Sequence, residues 1–170
     1  MNKMETILID RFTIDVYHFV VGRISSGVCY IGLEKLAATE LAKFFKGWPL
    51  KAADGSSEDV QTQLTAYFTG KLEEFNFPLA LVGTDFQKKV WQKLEEIPYG
   101  KTISYSRLAQ QVENEKGVRA VANAVGRNPV MIVIPCHRII GKNGRLTGYR
   151  GGISMKVALL EQEGISEFAY

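Results

Sequence analysis

The first third of the chain has the hydrophobic pattern of a small sheet with helices. Three runs rich in Ile, Val, Tyr and Phe predict strands, at residues 4–9, 12–21 and 27–32. Apolar residues at helical spacing then predict two helices, over about 35–45 and 57–69, and residues 51–57 between them form a polar loop. We therefore expect an α/β N-terminal domain over residues 1–83, built on a small antiparallel sheet.

The pattern changes near residue 84, where a mostly helical half begins. Thr84 and Gln87 have the spacing of a capping box, which predicts that a helix starts at this point. A last helix is predicted over about 152–163, with a buried face formed by Ile153, Val157 and Leu160. We expect residues 84–170 to form a second, mostly α domain.

Two short helices inside this second half, over about 104–112 and 117–126, are joined by a turn of about four residues. The second helix has an apolar stripe on one side. Its other side carries polar and basic residues at i, i+4 and i+8 with small residues between them, namely Arg119, Asn123, Arg127, Ala120 and Ala124. This arrangement is typical of a DNA-binding helix-turn-helix, although many helical pairs in ordinary cores resemble it.

Charge is distributed unevenly along the chain. Residues 1–84 carry 8 Lys and Arg side chains against 10 Asp and Glu, whereas residues 85–170 carry 13 against 8. The asymmetry indicates that a polyanion contacts the C-terminal half, although a solvated basic face gives the same pattern. No apolar run approaches the roughly 20 residues of a membrane-spanning helix, and residues 1–12 lack the apolar core of a secretory signal. We therefore expect a cytoplasmic protein without a membrane partner.

The two cysteines lie in different contexts. Cys29 belongs to an apolar run, where a small buried hydrophobic side chain is expected. Cys136 follows a β-rich run at 130–134, which would carry it out of the core, and it precedes His137 and Arg138. A thiol is mostly protonated at neutral pH, so a nucleophilic cysteine needs a base or a positive neighbour, and these two residues supply both kinds.

His137 needs a group to orient it if it serves as the base. Neighbours in an extended chain point to opposite sides, so a water bridge between Cys136 and His137 is expected rather than a direct hydrogen bond. Glu163 in the last turn of the final helix is the candidate carboxylate, and the helix dipole would raise its basicity.

The run PCHRII at residues 135–140 resembles the active-site signature of the O6-alkylguanine-DNA alkyltransferases, the methylated-DNA–protein-cysteine methyltransferases. The similarity covers roughly residues 84–164, whereas the N-terminal part resembles the family only in length and element order. Further matching residues are Phe86-Gln87, Pro98-Tyr99-Gly100, Ser104-Tyr105, Leu108-Ala109, Arg119-Ala120-Val121, Asn128-Pro129, Gly148-Tyr149 and Leu159-Leu160 near Glu163.

The resemblance implies direct reversal of DNA alkylation, at O6 of guanine and also at O4 of thymine. Cys136 would attack the alkyl carbon as a thiolate, after His137, oriented by Glu163, takes its proton through a water. Tyr105 would donate a hydrogen bond to guanine N3, and Asn128 would act as the hinge between the recognition helix and the active-site segment. The thioether has no good leaving group, so each molecule would react once and need no cofactor.

The same resemblance implies how the DNA would be bound. The damaged nucleotide must leave the base stack, and Arg119 matches the arginine that takes its place. The partner would be double-stranded DNA held through its minor groove by a monomer. The DNA-binding candidates are Ser104, Arg119, Ala120, Asn123, Ala124 and Arg127. The substrate-binding candidates are Val125, Met131, Ile139, Tyr149, Arg150 and Gly151, with the carbonyl oxygens of Cys136 and Ile139 facing the guanine amino group.

Departures from the family pattern are few. Met131 stands where many relatives have proline, and Arg150 replaces a small polar residue found in some members, which leaves the tolerance for bulky substrates open. Some relatives bind zinc in the N-terminal domain, but here only His18 and Cys29 are soft ligands there, too few for a closed site. We expect no metal.

Two alternatives remain. A non-catalytic alkyl-damage sensor would have the same fold and lesion, but such proteins lack the reactive cysteine that Cys136 supplies. A cysteine hydrolase would use Cys136, His137 and Glu163, but cysteine proteases usually place the two catalytic residues far apart in sequence.

Overall fold

The first three strands form an antiparallel meander in the computed structural model, which describes residues 3–169. They are β1 (Ile7–Ile14), β2 (Tyr17–Ile24) and β3 (Gly27–Leu33). A fourth short strand, β4 (Leu50–Ala52), pairs with β1 in parallel, so the sheet order is β3-β2-β1-β4. The predicted sheet is present, but it is mixed, because part of the predicted polar loop at 51–57 adds to its edge.

The turn between β1 and β2 lies later than predicted. The sequence indicated a break after residue 9, where Asp10 and Arg11 interrupt the apolar run, but β1 continues through both. The buried Asp10 carboxylate is satisfied by backbone N–H groups, at 3.1 Å from Gly55 and 3.0 Å from Ser57. The hairpin instead turns at Asp15, whose φ of 53° lies in the left-handed region that Asp tolerates.

Two helices complete the first unit, α1 (Glu34–Phe44) and α2 (Glu58–Phe68). The residues up to Gly83 form one compact unit, and those from Thr84 form a second. The core of the first unit includes Ile7, Val20, Cys29, Tyr30 and Leu41. Cys29 is fully buried there, as its apolar context predicted.

The second unit begins with α3 (Asp85–Glu95), whose predicted capping box is present: the Thr84 hydroxyl accepts from the Gln87 N–H at 3.1 Å, and the Gln87 side chain accepts from the Thr84 N–H at 3.0 Å. The remaining elements are β5 (Ile103–Ser104), α4 (Tyr105–Gln111), α5 (Val118–Gly126), β6 (Ile139–Ile140) and α6 (Ile153–Gln162). β5 and β6 pair in parallel. In the part of the chain that the structure describes, no helix is both long and apolar enough to cross a membrane.

The predicted helix pair is present as α4 and α5. Trp91 of α3 donates its indole N–H to the Ala124 carbonyl at 2.9 Å, which ties α5 to α3. The backbone leaves α4 through Glu113, with a φ of 58°, and the Asn114 N–H returns to the Ala109 carbonyl at 2.9 Å, which satisfies the end of the helix. The two helices therefore form a helix-turn-helix whose second helix is fixed to α3.

The predicted strand at 130–134 is wrong. Successive tight turns replace it: the Val133 N–H donates to the Met131 carbonyl at 2.8 Å, and Ile132 between them has a φ of 71°, which is unusual for a β-branched residue. The Asn128 side chain supplies the hydrogen bonds that a neighbouring strand would have supplied, donating to the Ile134 carbonyl at 2.7 Å and accepting from the Val130 N–H at 2.9 Å.

The predicted buried face of α6 is also shifted. Leu160 is buried as predicted, but Ile153 is 39% exposed and Val157 is half-buried. The other residues that the helix buries are Met155, Lys156 and Leu159. The buried face thus includes a lysine, which an apolar pattern assigns to the solvent side.

Candidate active site

Cys136 lies on a single 3₁₀ turn, Cys136–Arg138, that directly precedes β6. Pro135 starts the turn, and its carbonyl accepts a hydrogen bond from the Arg138 N–H at 3.0 Å. The Cys136 side chain faces a cavity of about 340 Å³, which lies within the usual range of ligand pockets, roughly 300–1,000 Å³. The cavity is lined by Tyr105, Ala122, Val125, Gly126, Cys136, Gly148, Tyr149 and Arg150.

His137 and Glu163 form a buried pair beside the cysteine. The Nε2 atom of His137 lies 2.6 Å from Oε2 of Glu163, which caps the C-terminus of α6. Burial lowers the pKa of His137 and outweighs the raising effect of the carboxylate. The neutral imidazole therefore donates its Nε2–H to Glu163, and its Nδ1 atom keeps a lone pair that no protein group within residues 3–169 engages.

Arg138 does not serve the thiol as the sequence suggested. Its guanidinium group donates two hydrogen bonds to Glu163 instead, with Nε at 2.8 Å from Oε1 and Nη2 at 3.1 Å from Oε2. Its Nη1 atom donates to the Ile97 carbonyl at 2.6 Å, and the Gly100 N–H adds a hydrogen bond to Oε1 at 3.1 Å. A carboxylate this deeply buried requires such partners, so Arg138 stabilises the group that orients His137.

The positive neighbours of the thiol are Arg150 and Lys156. Burial raises the pKa of Cys136. A hydrogen bond from Asn128, the charges of these two residues and a backbone hydrogen bond oppose that effect. Sequence reasoning missed Lys156. Its only signal in the sequence was its position between the apolar residues Met155 and Leu159 of the last helix.

The predicted substrate-binding residues divide into two groups. Tyr149, Arg150 and Val125 line the cavity, as does Tyr105 from the predicted catalytic set. Met131 and Ile139 are fully buried and lie outside the lining, because the turns around Ile132 fold Met131 into the core.

Gly151 stands behind the wall of the cavity. A Cβ at this position would collide with Met155 Sδ and press on the Tyr149 ring at 3.0 Å, so glycine permits their close packing. Ala122, Gly126 and Gly148 line the cavity without having been predicted, since small residues give no chemical signal in a sequence.

The exposed face of α5 carries Arg119, Ala120 and Asn123 together, and Arg127 is half-buried at its end. Ala124, predicted with them, is 4% exposed, and its carbonyl accepts the Trp91 indole N–H at 2.9 Å, so its methyl group adds little to this exposed face. Ser104 is the N-cap of α4, and its hydroxyl accepts from the Arg107 N–H at 3.1 Å.

Known proteins are similar to this chain in both sequence and fold. Residues 85–165 match the family described as "6-O-methylguanine DNA methyltransferase, DNA binding domain". The inducible methylated-DNA–protein-cysteine methyltransferase of Bacillus subtilis is 43% identical over 151 residues, which cover 86% of this chain and 84% of that protein. The chain belongs to the O6-methylguanine-DNA methyltransferase family.

Solved methyltransferase structures agree over nearly the whole length. The Mycobacterium tuberculosis protein OGT in complex with DNA is 37% identical, covers 92% of both chains and has a TM-score of 0.80. The O6-methylguanine-DNA methyltransferase of Pyrococcus kodakaraensis is 28% identical, covers 94% of this chain and 99% of its own, and has a TM-score of 0.75. The similarity to methyltransferases thus extends beyond the signature-bearing half of this chain.

The N-terminal unit offers little for a metal ion. His18 and Thr13 are joined by a hydrogen bond of 2.8 Å between Nδ1 and Oγ1, and Cys29 is buried in the core. Within residues 3–169, no group of three or more His, Cys, Asp and Glu side chains is arranged to hold a metal.

Proposed function

We propose that this protein repairs O6-alkylguanine in DNA, and O4-alkylthymine, by moving the alkyl group irreversibly onto Cys136. The observation that carries the proposal is a free thiol at a base-sized cavity, next to a buried His137–Glu163 pair, in a chain of this methyltransferase family. The same chemistry requires no cofactor.

The thiolate would form inside the cavity. The Nδ1 lone pair of His137 accepts the thiol proton through a water molecule, and Glu163 stabilises the imidazolium that results. Arg150 and Lys156 favour the thiolate, as does the hydrogen bond from Asn128. These contributions reduce the effect of burial on the pKa of Cys136 without cancelling it, so thiolate formation depends on the transfer of the proton to His137.

The transfer is an in-line displacement at carbon. The S–C bond forms as the C–O6 bond breaks, and the electron pair moves into the guanine ring. Tyr105 lines the cavity with Cys136 and protonates the departing base at N3. The product is a thioether, which has no good leaving group, so one protein molecule repairs one lesion.

The second unit binds DNA, and α5 is the element that enters the minor groove. Arg119, Ala120 and Asn123 form its exposed face, on which small side chains allow a close approach to the groove. Arg119 would occupy the space that the flipped nucleotide leaves. Weak sequence readout in the minor groove suits a protein that scans all sequences.

The first unit supports the fold, and the protein acts as a monomer. We place it in the cytoplasm, where a reducing environment keeps Cys29 and Cys136 as free thiols. No membrane partner is required for the reaction.

A duplex that carries one O6-methylguanine provides the test. Incubation with excess duplex should restore guanine in the DNA and add a single methyl group to the intact protein mass. Cys136→Ser is the control and should bind the duplex but gain no mass. If the unchanged protein binds the lesion tightly without gaining mass, the protein is a damage sensor and the proposal fails.

A further inference from the structure

The ammonium group of Lys156 is buried beside the cavity. Its side chain is 1% exposed, and Nζ donates to the Ile139 carbonyl at 2.7 Å. Charged side chains are rarely buried without an anionic partner, because desolvation costs free energy. Burial lowers the pKa of Lys156 to about 8, so its proton is far easier to release than that of an exposed lysine. The displacement described above requires no proton from it.

Thr147 connects this ammonium to the cavity. The Thr147 hydroxyl lies 2.9 Å from the Tyr105 hydroxyl and 3.5 Å from Lys156 Nζ. A hydroxyl can donate one hydrogen bond while it accepts another, so it can pass a proton between two neighbours. The longer distance is at the outer limit for a hydrogen bond, and such contacts often shorten when substrate is bound.

We propose that Lys156 and Thr147 form a proton relay that returns a proton to the Tyr105 oxygen as the repaired guanine departs. The inference rests on the proposed function, in which Tyr105 is the catalytic acid that touches the base. Thr147 and Lys156 act through Tyr105 and are positioning residues.

The proton and electron balance is complete without any further reactant. As the C–O6 bond breaks, its electron pair moves to guanine, and the Tyr105 proton moves to N3. The Tyr105 oxygen takes the Thr147 hydroxyl proton, and Thr147 takes one from the Lys156 ammonium. The products are a neutral guanine, a methylated Cys136, a neutral Lys156 amine and the His137 imidazolium that holds the proton of the thiol.

The order of proton affinities drives the relay in this direction. Burial raises the pKa of Tyr105 above its ordinary value of 10. The pKa of Lys156 is about 8. The ammonium is therefore the stronger acid, by a factor of at least about 100, and a tyrosinate would not persist beside it.

The pH dependence has a defined sign. The titratable groups that face Lys156 are Cys136 and His137 from the active-site turn and, through Thr147, Tyr105 from α4. Thiolate formation speeds the reaction as pH rises. The relay needs a charged Lys156, so its contribution is present below about pH 8 and is lost as pH rises through that value.

The test is the single-turnover rate constant of methyl transfer from the lesion duplex, measured from pH 6 to 9.5. Unchanged protein should lose rate above about pH 8. Thr147→Val removes the hydroxyl with little change in volume. It should slow transfer by roughly tenfold or more at pH 7 and reduce the alkaline decline to the part that comes from losing the Lys156 charge near Cys136. Thr147→Ser keeps the hydroxyl and should restore both.

Two further variants separate a relay from a structural role. In a Tyr105→Phe background, Thr147→Val should cause no additional loss, because the relay has lost its acceptor. Lys156→Arg keeps a charge that does not titrate in this range, so its alkaline decline should disappear even if Thr147→Val does not fold.

The inference is overturned if Thr147→Val keeps the rate and the alkaline decline of the unchanged protein, or if its effect multiplies with that of Tyr105→Phe. Absence of methyl transfer by the unchanged protein would instead overturn the proposed function, and the relay with it.

Discussion

The surroundings of Cys29 and Cys136 show how one fold keeps one thiol inert and prepares another. Both side chains are buried, at 0% and 7% exposure. Burial, with a smaller contribution from the charge of Glu5, raises the pKa of Cys29 to about 12. Around Cys136, two cations and the Asn128 hydrogen bond oppose the same burial.

The difference lies in the neighbours and not in the depth of burial. Cys29 packs among apolar side chains in the core of the first unit. Cys136 stands on a turn at the edge of a cavity, with a histidine and two cations around it. A buried thiol can thus serve as a nucleophile where a nearby base and charged or hydrogen-bonding groups offset part of its desolvation.

The largest expected effect is a difference in alkylation rate between the two thiols. Native protein treated with iodoacetamide at pH 8 should be modified at Cys136 on the order of 10³ times faster than at Cys29, because thiolate is the reactive form. Peptide mapping over a time course measures both rates. In denaturant the rates should converge, and comparable rates in the native protein would remove the contrast.

Glu163→Gln should cause the next largest effect, a loss of methyl-transfer rate of roughly 10²-fold or more, since His137 loses the partner that orients it. Arg138 would also lose its buried counter-charge, which should lower the free energy of unfolding by about 3 kcal/mol. Single-turnover kinetics and urea denaturation measure these changes.

The exposed Glu161 on the same helix provides the control for that variant, and Glu161→Gln should leave both quantities unchanged. Equal kinetics for the two variants would show that the buried pair does not prepare Cys136.

Lys156→Met should slow the iodoacetamide reaction of Cys136 by about tenfold at pH 7, because losing the ammonium raises the pKa of the thiol. This reaction needs no acid from Tyr105, so it isolates the electrostatic effect. Lys101→Met, at an exposed position, should react like the unchanged protein. An unaltered rate in Lys156→Met would mean that the Lys156 charge does not contribute to the difference in reactivity between Cys136 and Cys29.

The smallest effect concerns stability against pH. Burial lowers the pKa of His137 in the folded state, so the unfolded chain binds the proton more readily. The contribution of His137 is present above its unfolded pKa of about 6.5 and is lost as pH falls below it, by up to about 1.4 kcal/mol per pH unit. Urea denaturation from pH 5 to 8 measures the slope. His137→Gln should flatten it, and an identical slope would contradict the assignment.

The sequence predicted Cys136, His137 and Glu163 as a reactive group because their residue types and positions carry a chemical meaning, and the structure places His137 against Glu163 and Cys136 at the cavity. Sequence reasoning misjudged Arg138, since adjacency in the chain does not tell which side of a turn a side chain takes. It missed Lys156 because a lysine is expected in solvent, and only the packing of α6 brings it beside the cavity.

The fold was predicted in outline, and its errors have a common cause. The run at 130–134 is β-rich, but its hydrogen bonds go to Asn128 and to its own turns, which local propensity does not register. The short, exposed strand β4 was not predicted, because its pairing with β1 depends on long-range contacts. Elements defined by periodicity, such as α3 and α5, were located within a few residues.

The most direct measurement is the location of the methyl group after complete reaction with an O6-methylguanine duplex. Digestion and peptide mass mapping should find S-methylcysteine at Cys136 in stoichiometric amount and none at Cys29. Methyl on Cys29, or on neither cysteine while the DNA is repaired, would contradict the account that the groups around Cys136 make it the acceptor.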